Sequence, residues 1–175
     1  GFDVRNEAVN GSGLLSPWQF DWEAHLTRVL EAHDPDLVVF LFIGNYPPGP
    51  GGGYQPDDGP PIRHKGSRRF FTAWEEAAAE LTRAAAEDAR VIWVLPPPMK
   101  ARADQRVVDG LREAYTQVAD EVDDTRTIDA YDALATDDGR YDPRAPAPGE
   151  GQARLRRRDG VHLAPLGVRR LAVLV

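Results

Sequence analysis

Apolar residues along the chain alternate between short continuous runs and longer stretches with helical spacing. The short runs predict strands at residues 2–9, 36–44, 90–96 and 125–130, and the runs at 36–44 and 90–96 are typical of strands buried on both faces. Helical spacing predicts helices over residues 18–32, 67–88, 104–122 and 164–174. The final "LAVLV" also fits a strand, although the preceding pattern favours a helix. This alternation predicts an α/β fold, a three-layer α/β/α sandwich around a parallel sheet.

Two stretches, residues 47–66 and 142–151, are dense in glycine and proline and predict surface loops. In parallel sheets the functional residues lie in the loops that follow the carboxyl ends of the strands. The loops of interest are therefore those after Val9 and Ile43, and the long one before the last helix.

Composition narrows the classes of function. The chain has 175 residues, a net charge of -7 and 42% hydrophobic residues, which is typical of one globular domain spanning residues 1–175. The acidic balance argues against binding nucleic acid, and no apolar run is long enough for a membrane helix. The absence of cysteine excludes thiolate nucleophiles and cysteine-ligated metals. Compartment and oligomeric state stay open.

Polar residues that can do chemistry follow these strands. Asp159 and His162 are three residues apart in "RDGVHLAPLG", a spacing that lets the carboxylate accept the Nδ1–H of the imidazole and leaves Nε2 free. Asn45 follows a strand in "GNYPP", where its amide can face a developing oxyanion. Backbone N–H groups near Gly11 can do the same.

Simpler interpretations stay open for each residue. Asp159 would also suit the start of the last helix, with His162 merely exposed. Asn45 alone is typical of a turn. Ser12 in "NGSG" could serve as a nucleophile, but it lacks the G-x-S-x-G pattern. The basic cluster "RLRRRD" at residues 154–159 is either a solvated loop or an attractor of anionic substrates.

Together these motifs resemble the SGNH (GDSL-type) hydrolases over essentially the whole chain. "DGVHLAPLG" resembles the Asp-x-x-His block of that family, which assigns triad roles to Asp159 and His162. "FIGNY" is similar to the Gly-x-Asn block, here as a direct Gly-Asn pair, and implies that Asn45 lies in the oxyanion hole. "NEAVNGSG" resembles the glycine block, with Gly11 as the oxyanion residue or Gly13 if the register shifts.

The Gly-Asp-Ser block of the family, which carries the nucleophile, has no counterpart here. The three serines, Ser12, Ser16 and Ser67, lie outside any such sequence. The resemblance therefore implies a flavodoxin-like domain truncated at its N-terminus, with the first strand and its serine before Gly1. In the family's sheet that strand lies between the segments at residues 4–9 and 37–43.

The resemblance implies a serine ester hydrolase without metal or organic cofactor, acting on a small-molecule or glycan acyl ester. Tyr46, Tyr54 and His64, in or beside the long loop after Asn45, are candidates to contact the substrate. An acyltransferase that passes the acyl group to a carbohydrate hydroxyl would use the same residues. A binding module without catalysis is the alternative from a different class.

Overall fold

The chain forms an α/β fold in a computed structural model that describes residues 3–43, 48–49, 51–56, 59–147 and 151–175. The elements of these described residues follow one another as α1 Trp22–His33, β1 Leu37–Phe40, α2 Arg68–Ala86, β2 Arg90–Leu95, α3 Arg102–Glu121, β3 Thr125–Asp129, α4 Tyr131–Leu134, β4 Arg144–Ala147, β5 Gly151–Arg154 and α5 Pro165–Ala172.

The main sheet is parallel and has the order β1-β2-β3. Leu37 lies opposite Arg90 in the first strand pair, and Val91 lies opposite Thr125 in the second. Parallel strands need crossover connections, which α2 and α3 provide. The apolar run at residues 90–96 thus forms the central strand, as its composition predicts.

Alternate residues of β2 point to opposite faces of the sheet and reach different cores. Trp93 is fully buried on the side of α2 and α3, where its ring stacks on Tyr115 with centroids 4.2 Å apart. Its neighbour Val94 packs with residues of α4, α5 and the β4–β5 pair, which together form a second core on the opposite face of the sheet. Helices therefore cover both sides of the sheet, and the predicted α/β/α architecture is confirmed.

The helices begin where side chains cap their first turns. The Ser67 hydroxyl accepts the Phe70 N–H at the start of α2, where the sequence predicts a helix. The first helix begins later than predicted, because Asp21 caps it through the Ala24 N–H. The C-terminal segment is helical from Pro165 to Ala172, which settles the choice between helix and strand. No helix in the described part of the chain combines the length and the hydropathy needed to cross a membrane.

Two predictions about strands near the N-terminus are wrong. Residues 3–9 form no strand, and Val4 is 80% exposed, because no strand among the described residues lies beside this segment to pair with it. The strand at Leu37–Phe40 is not buried on both faces either, since Val39 is 42% exposed. Among the described residues β1 pairs with β2 alone, so its other edge is free.

The predicted loop at residues 142–151 contains the strand β4 and the first residue of β5 instead. β4 and β5 pair antiparallel, with Ala145 opposite Ala153. Pro146 argues against a central strand, but a separate two-stranded hairpin tolerates it. The inward Ala145 and Ala147 are buried against the second core, which is what holds the hairpin in place.

A polar cluster joins the loops after β2 and β3. The Arg112 guanidinium donates two hydrogen bonds to the carboxylate of Asp129, at 2.8 and 2.7 Å, and lies 4.1 Å from the centroid of the Tyr131 ring. It also donates to the Pro96 carbonyl. These contacts hold the chain in place at the carboxyl ends of β2 and β3.

Candidate functional site

Asp159 and His162 lie in a closed turn that precedes α5. The Arg157 N–H donates to the His162 carbonyl at 2.8 Å, and the Gly160 N–H donates to the Arg157 carbonyl at 3.1 Å. The residue at the N-cap of α5 is Ala164, with no side-chain hydrogen bond to the helix. The helix-start interpretation of Asp159 is therefore wrong, because its carboxylate serves the turn instead.

The carboxylate of Asp159 makes three hydrogen bonds within the turn. Oδ1 accepts the backbone N–H groups of Val161 and His162 at 2.8 and 2.9 Å, and Oδ2 lies 3.0 Å from Nδ1 of His162. These contacts, the Val161 N–H first among them, lower the pKa of Asp159 to about 2. Since its folded pKa is depressed, this carboxyl stabilises the turn fully above about pH 4, its unfolded value, and the contribution is lost as the pH falls to about 2.

The ring of His162 is held at one nitrogen and open at the other. An ionised carboxylate only accepts hydrogen bonds, so the contact to Oδ2 places the proton on Nδ1. Among the described residues no hydrogen bond reaches Nε2, and the side chain is 67% exposed. A reactant approaching from solvent therefore meets Nε2 of a ring whose orientation the carboxylate fixes.

Gly160 allows this turn to pack against its neighbours. Its φ of +76° is in the left-handed region, and a Cβ at this position would lie 3.3 Å from the Tyr141 hydroxyl and 3.4 Å from Cβ and Cδ of Lys100. A side chain would thus add crowding to an unfavourable backbone conformation. Tyr141 and Lys100 are therefore the neighbours that leave little space for a side chain at this position.

Gly160→Ala is expected to destabilise the fold by more than about 1 kcal/mol, because alanine at positive φ costs about that much before any crowding. Gly139→Ala is the matched control, since Gly139 has a φ of +75° and nothing within 4 Å of an added Cβ. Urea denaturation measures both free energies of unfolding. Equal losses in the two variants would show that Tyr141 and Lys100 do not confine the turn.

The basic cluster at residues 154–159 divides into exposed and buried parts. Arg154, Arg157 and Arg158 are exposed, in agreement with a solvated loop, whereas Arg156 is 0% exposed. The burial of Arg156 could not be predicted from the sequence, because a charged residue within a charged run carries no signal of burial. Nor did the sequence single out Tyr141, which lies just before the stretch at residues 142–151 that was predicted to be a loop.

The structure does not join Gly11, a candidate oxyanion residue, to the turn. Gly11 lies in an exposed turn with a φ of +75°, and among the described residues no hydrogen bond links it to Asp159 or His162. Asn45 and Tyr46 fall outside the described residues. Their roles stay predictions.

The remaining substrate candidates, Tyr54 and His64, differ in exposure. Tyr54 is 3% exposed and packs edge-on against Phe70 at 5.1 Å, so its ring belongs to the core under α2. His64 is exposed in the loop before α2, where its carbonyl accepts the Ser67 N–H. In the described part of the chain, no three histidine, aspartate or glutamate side chains gather as metal ligands would.

Comparison with known proteins assigns a family but no reaction. The family described as "Protein of unknown function (DUF459)" matches residues 1–175. A solved structure whose description names a platelet activating factor from Streptococcus pneumonia is similar at 15% identity and a TM-score of 0.47. The similarity covers 63% of this chain and 52% of that one, so the chain spans about half the length of that protein. No curated protein matches the chain.

Proposed function

The chain belongs to the DUF459 family, and we propose that within it this domain is an ester hydrolase of the SGNH type. One observation carries the proposal: the Asp159 carboxylate lies 3.0 Å from Nδ1 of His162, while Nε2 faces solvent. This is the arrangement of a general base with its orienting carboxylate. The position of the pair, after the last strand and before the last helix, agrees with the Asp-x-x-His block that the sequence resembles.

In the proposed reaction a serine hydroxyl attacks the ester carbonyl while Nε2 of His162 takes its proton. Asp159 stays ionised and stabilises the imidazolium. The tetrahedral oxyanion is bound by the Asn45 amide and the Gly11 N–H. His162 then returns the proton to the leaving alcohol, and water cleaves the acyl-enzyme by the same steps in reverse order.

The nucleophile is proposed to come from a segment outside residues 1–175. Each serine of the chain has another place: the Ser12 hydroxyl donates to the Val9 carbonyl at 2.7 Å, Ser16 is 0% exposed, and Ser67 caps α2. None of the three is hydrogen-bonded to His162 among the described residues. A serine that ends a preceding strand would complete the triad.

Active-site labelling tests the proposal. The natural protein, with whatever precedes residue 1, is treated with a fluorophosphonate and analysed by mass spectrometry, and hydrolysis of p-nitrophenyl acetate is followed in parallel. We expect the label on a serine in a Gly-Asp-Ser sequence, together with ester turnover. The chain of residues 1–175 is the control, and it is expected to show neither.

Two results would overturn this assignment. A label on Ser12 in the chain of residues 1–175 would place the nucleophile in the turn beside Gly11. Absence of both label and turnover in the natural protein would favour a binding module without catalysis.

A further inference from the structure

Arg156 is a buried cation without a carboxylate partner. Its side chain is 0% exposed, and it forms no ion pair among the described residues. Burial lowers the pKa of its guanidinium. A charged group removed from water without a counter-ion is unfavourable unless its hydrogen bonds compensate. Its contacts therefore indicate what it does.

The guanidinium connects the candidate site with the loop after β2. Nη1 donates to the carbonyl of Val161 at 3.0 Å, and Nη2 donates to the carbonyl of Pro98 at 3.0 Å. The guanidinium carbon lies 5.8 Å from the centroid of the Tyr141 ring. Arg156 thus connects the turn at residues 157–163 to the loop that follows β2.

The contact to Val161 reaches the carboxylate through a single peptide group. The carbonyl of the Val161–His162 peptide accepts from Arg156, and the N–H of the same peptide donates to Oδ1 of Asp159 at 2.9 Å. The other carboxylate oxygen contacts Nδ1 of His162. These contacts link four groups in order: the Arg156 guanidinium, the Val161–His162 peptide, the Asp159 carboxylate and the His162 imidazole.

We propose that Arg156 is a positioning residue for the Asp159–His162 pair and acts through the Val161–His162 peptide. Its catalytic meaning rests on the proposed hydrolase function, but the coupling itself does not. A cation on the carbonyl polarises the amide and makes its N–H a stronger donor to the carboxylate. It also prevents the peptide plane from rotating, which would break the contact to Oδ1.

The coupling is specific to Arg156 among the basic residues around the turn. Arg157 and Arg158 are exposed and make no side-chain hydrogen bond within the described part of the chain. Lys100 and Tyr141 face Gly160, and His162 faces the carboxylate itself. If Arg156 acted by its charge alone, an exposed arginine beside Asp159 would have a similar influence.

Carbon-13 NMR titration of the Asp159 carboxyl tests the proposal in the chain of residues 1–175 and needs no catalysis. The wild type is expected to titrate near pH 2. Arg156→Met removes both hydrogen bonds and is expected to raise the pKa of Asp159 by at least about half a unit. Arg156→Lys keeps the charge and reaches fewer carbonyls, so an intermediate value is expected. Arg158→Met is the matched control and is expected to leave the value unchanged.

Circular dichroism shows whether each variant folds. If Arg156→Met does not fold, Arg156→Lys decides, and a value equal to that of the wild type would overturn the proposal. An equal rise in Arg158→Met would overturn it too, because the effect would then be long-range charge. In the unsubstituted chain, nitrogen-15 spectra are expected to show separate Nη signals from a guanidinium that cannot rotate; one averaged signal would contradict the contacts.

The outcome separates this proposal from the proposed function. A raised pKa of Asp159 in a protein without esterase activity would leave the coupling intact and remove its catalytic meaning. In an active protein, Arg156→Lys is expected to lower kcat several-fold with little change in KM, because it alters orientation and not substrate binding.

Discussion

Replacement of His162 by alanine is expected to abolish ester hydrolysis by the natural protein, with a loss in kcat of roughly 10⁴–10⁶-fold. The reason is that Nε2 of His162 is the only group of the turn placed to take a proton from an incoming hydroxyl. The fold should survive, since the side chain is 67% exposed and supports no core contact. Initial rates with p-nitrophenyl acetate give kcat, and thermal unfolding monitors the fold.

His64→Ala is the control for this experiment, because His64 is also an exposed histidine in a loop, before α2. A loss of less than about tenfold is expected there if His64 contacts substrate, and none if it does not. Activity close to that of the wild type in His162→Ala would refute the assignment of the general base.

Asp159→Asn is expected to lower kcat by about 10⁴-fold while the turn keeps its shape. The asparagine carbonyl can still accept the N–H groups of Val161 and His162, as Oδ1 of Asp159 does now. Its amide nitrogen would then face Nδ1 of the imidazole and donate to it. The ring proton would move to Nε2, which is the tautomer that cannot act as a base.

The matched control is Asp142→Asn, since Asp142 also accepts a backbone N–H two residues on, from Arg144 at 2.9 Å, in an exposed turn. Its activity should stay unchanged. Nitrogen-15 chemical shifts of the His162 ring report the tautomer directly. Retention of the Nδ1–H tautomer in Asp159→Asn, or a kcat near that of the wild type, would show that the carboxylate does not orient the base.

The sequence predicts those parts of the molecule that depend on local spacing. Asp159 and His162 are three residues apart on a turn with a glycine between them, so their contact follows from the chain itself. The central strand at Arg90–Leu95 is equally clear, because three prolines end its apolar run.

What the sequence does not predict depends on partners distant along the chain. Whether residues 3–9 form a strand is decided by a neighbouring strand, which their own pattern does not contain. The burial of Arg156 follows from the carbonyl of Pro98, a residue 58 positions earlier. The pairing of β4 with β5 depends on the burial of Ala145 and Ala147 in the second core. This tertiary contact overrides the proline and glycine content that predicts a loop.

Because one edge of β1 pairs with no described strand, only alternate residues of β1 have their backbone N–H and C=O groups hydrogen-bonded within the sheet. The Arg90 N–H donates to the carbonyl of Asp36, so Asp36, Val38 and Phe40 direct their backbone groups toward β2. Leu37 and Val39, which alternate with them, direct theirs toward the edge that pairs with no described strand. Amide hydrogen exchange is therefore expected to alternate along β1, slow at Val38 and fast at Val39. A strand that paired with this edge would slow the exchange of the Val39 amide to a rate like that of Val38. The Val39 amide would therefore report such pairing directly.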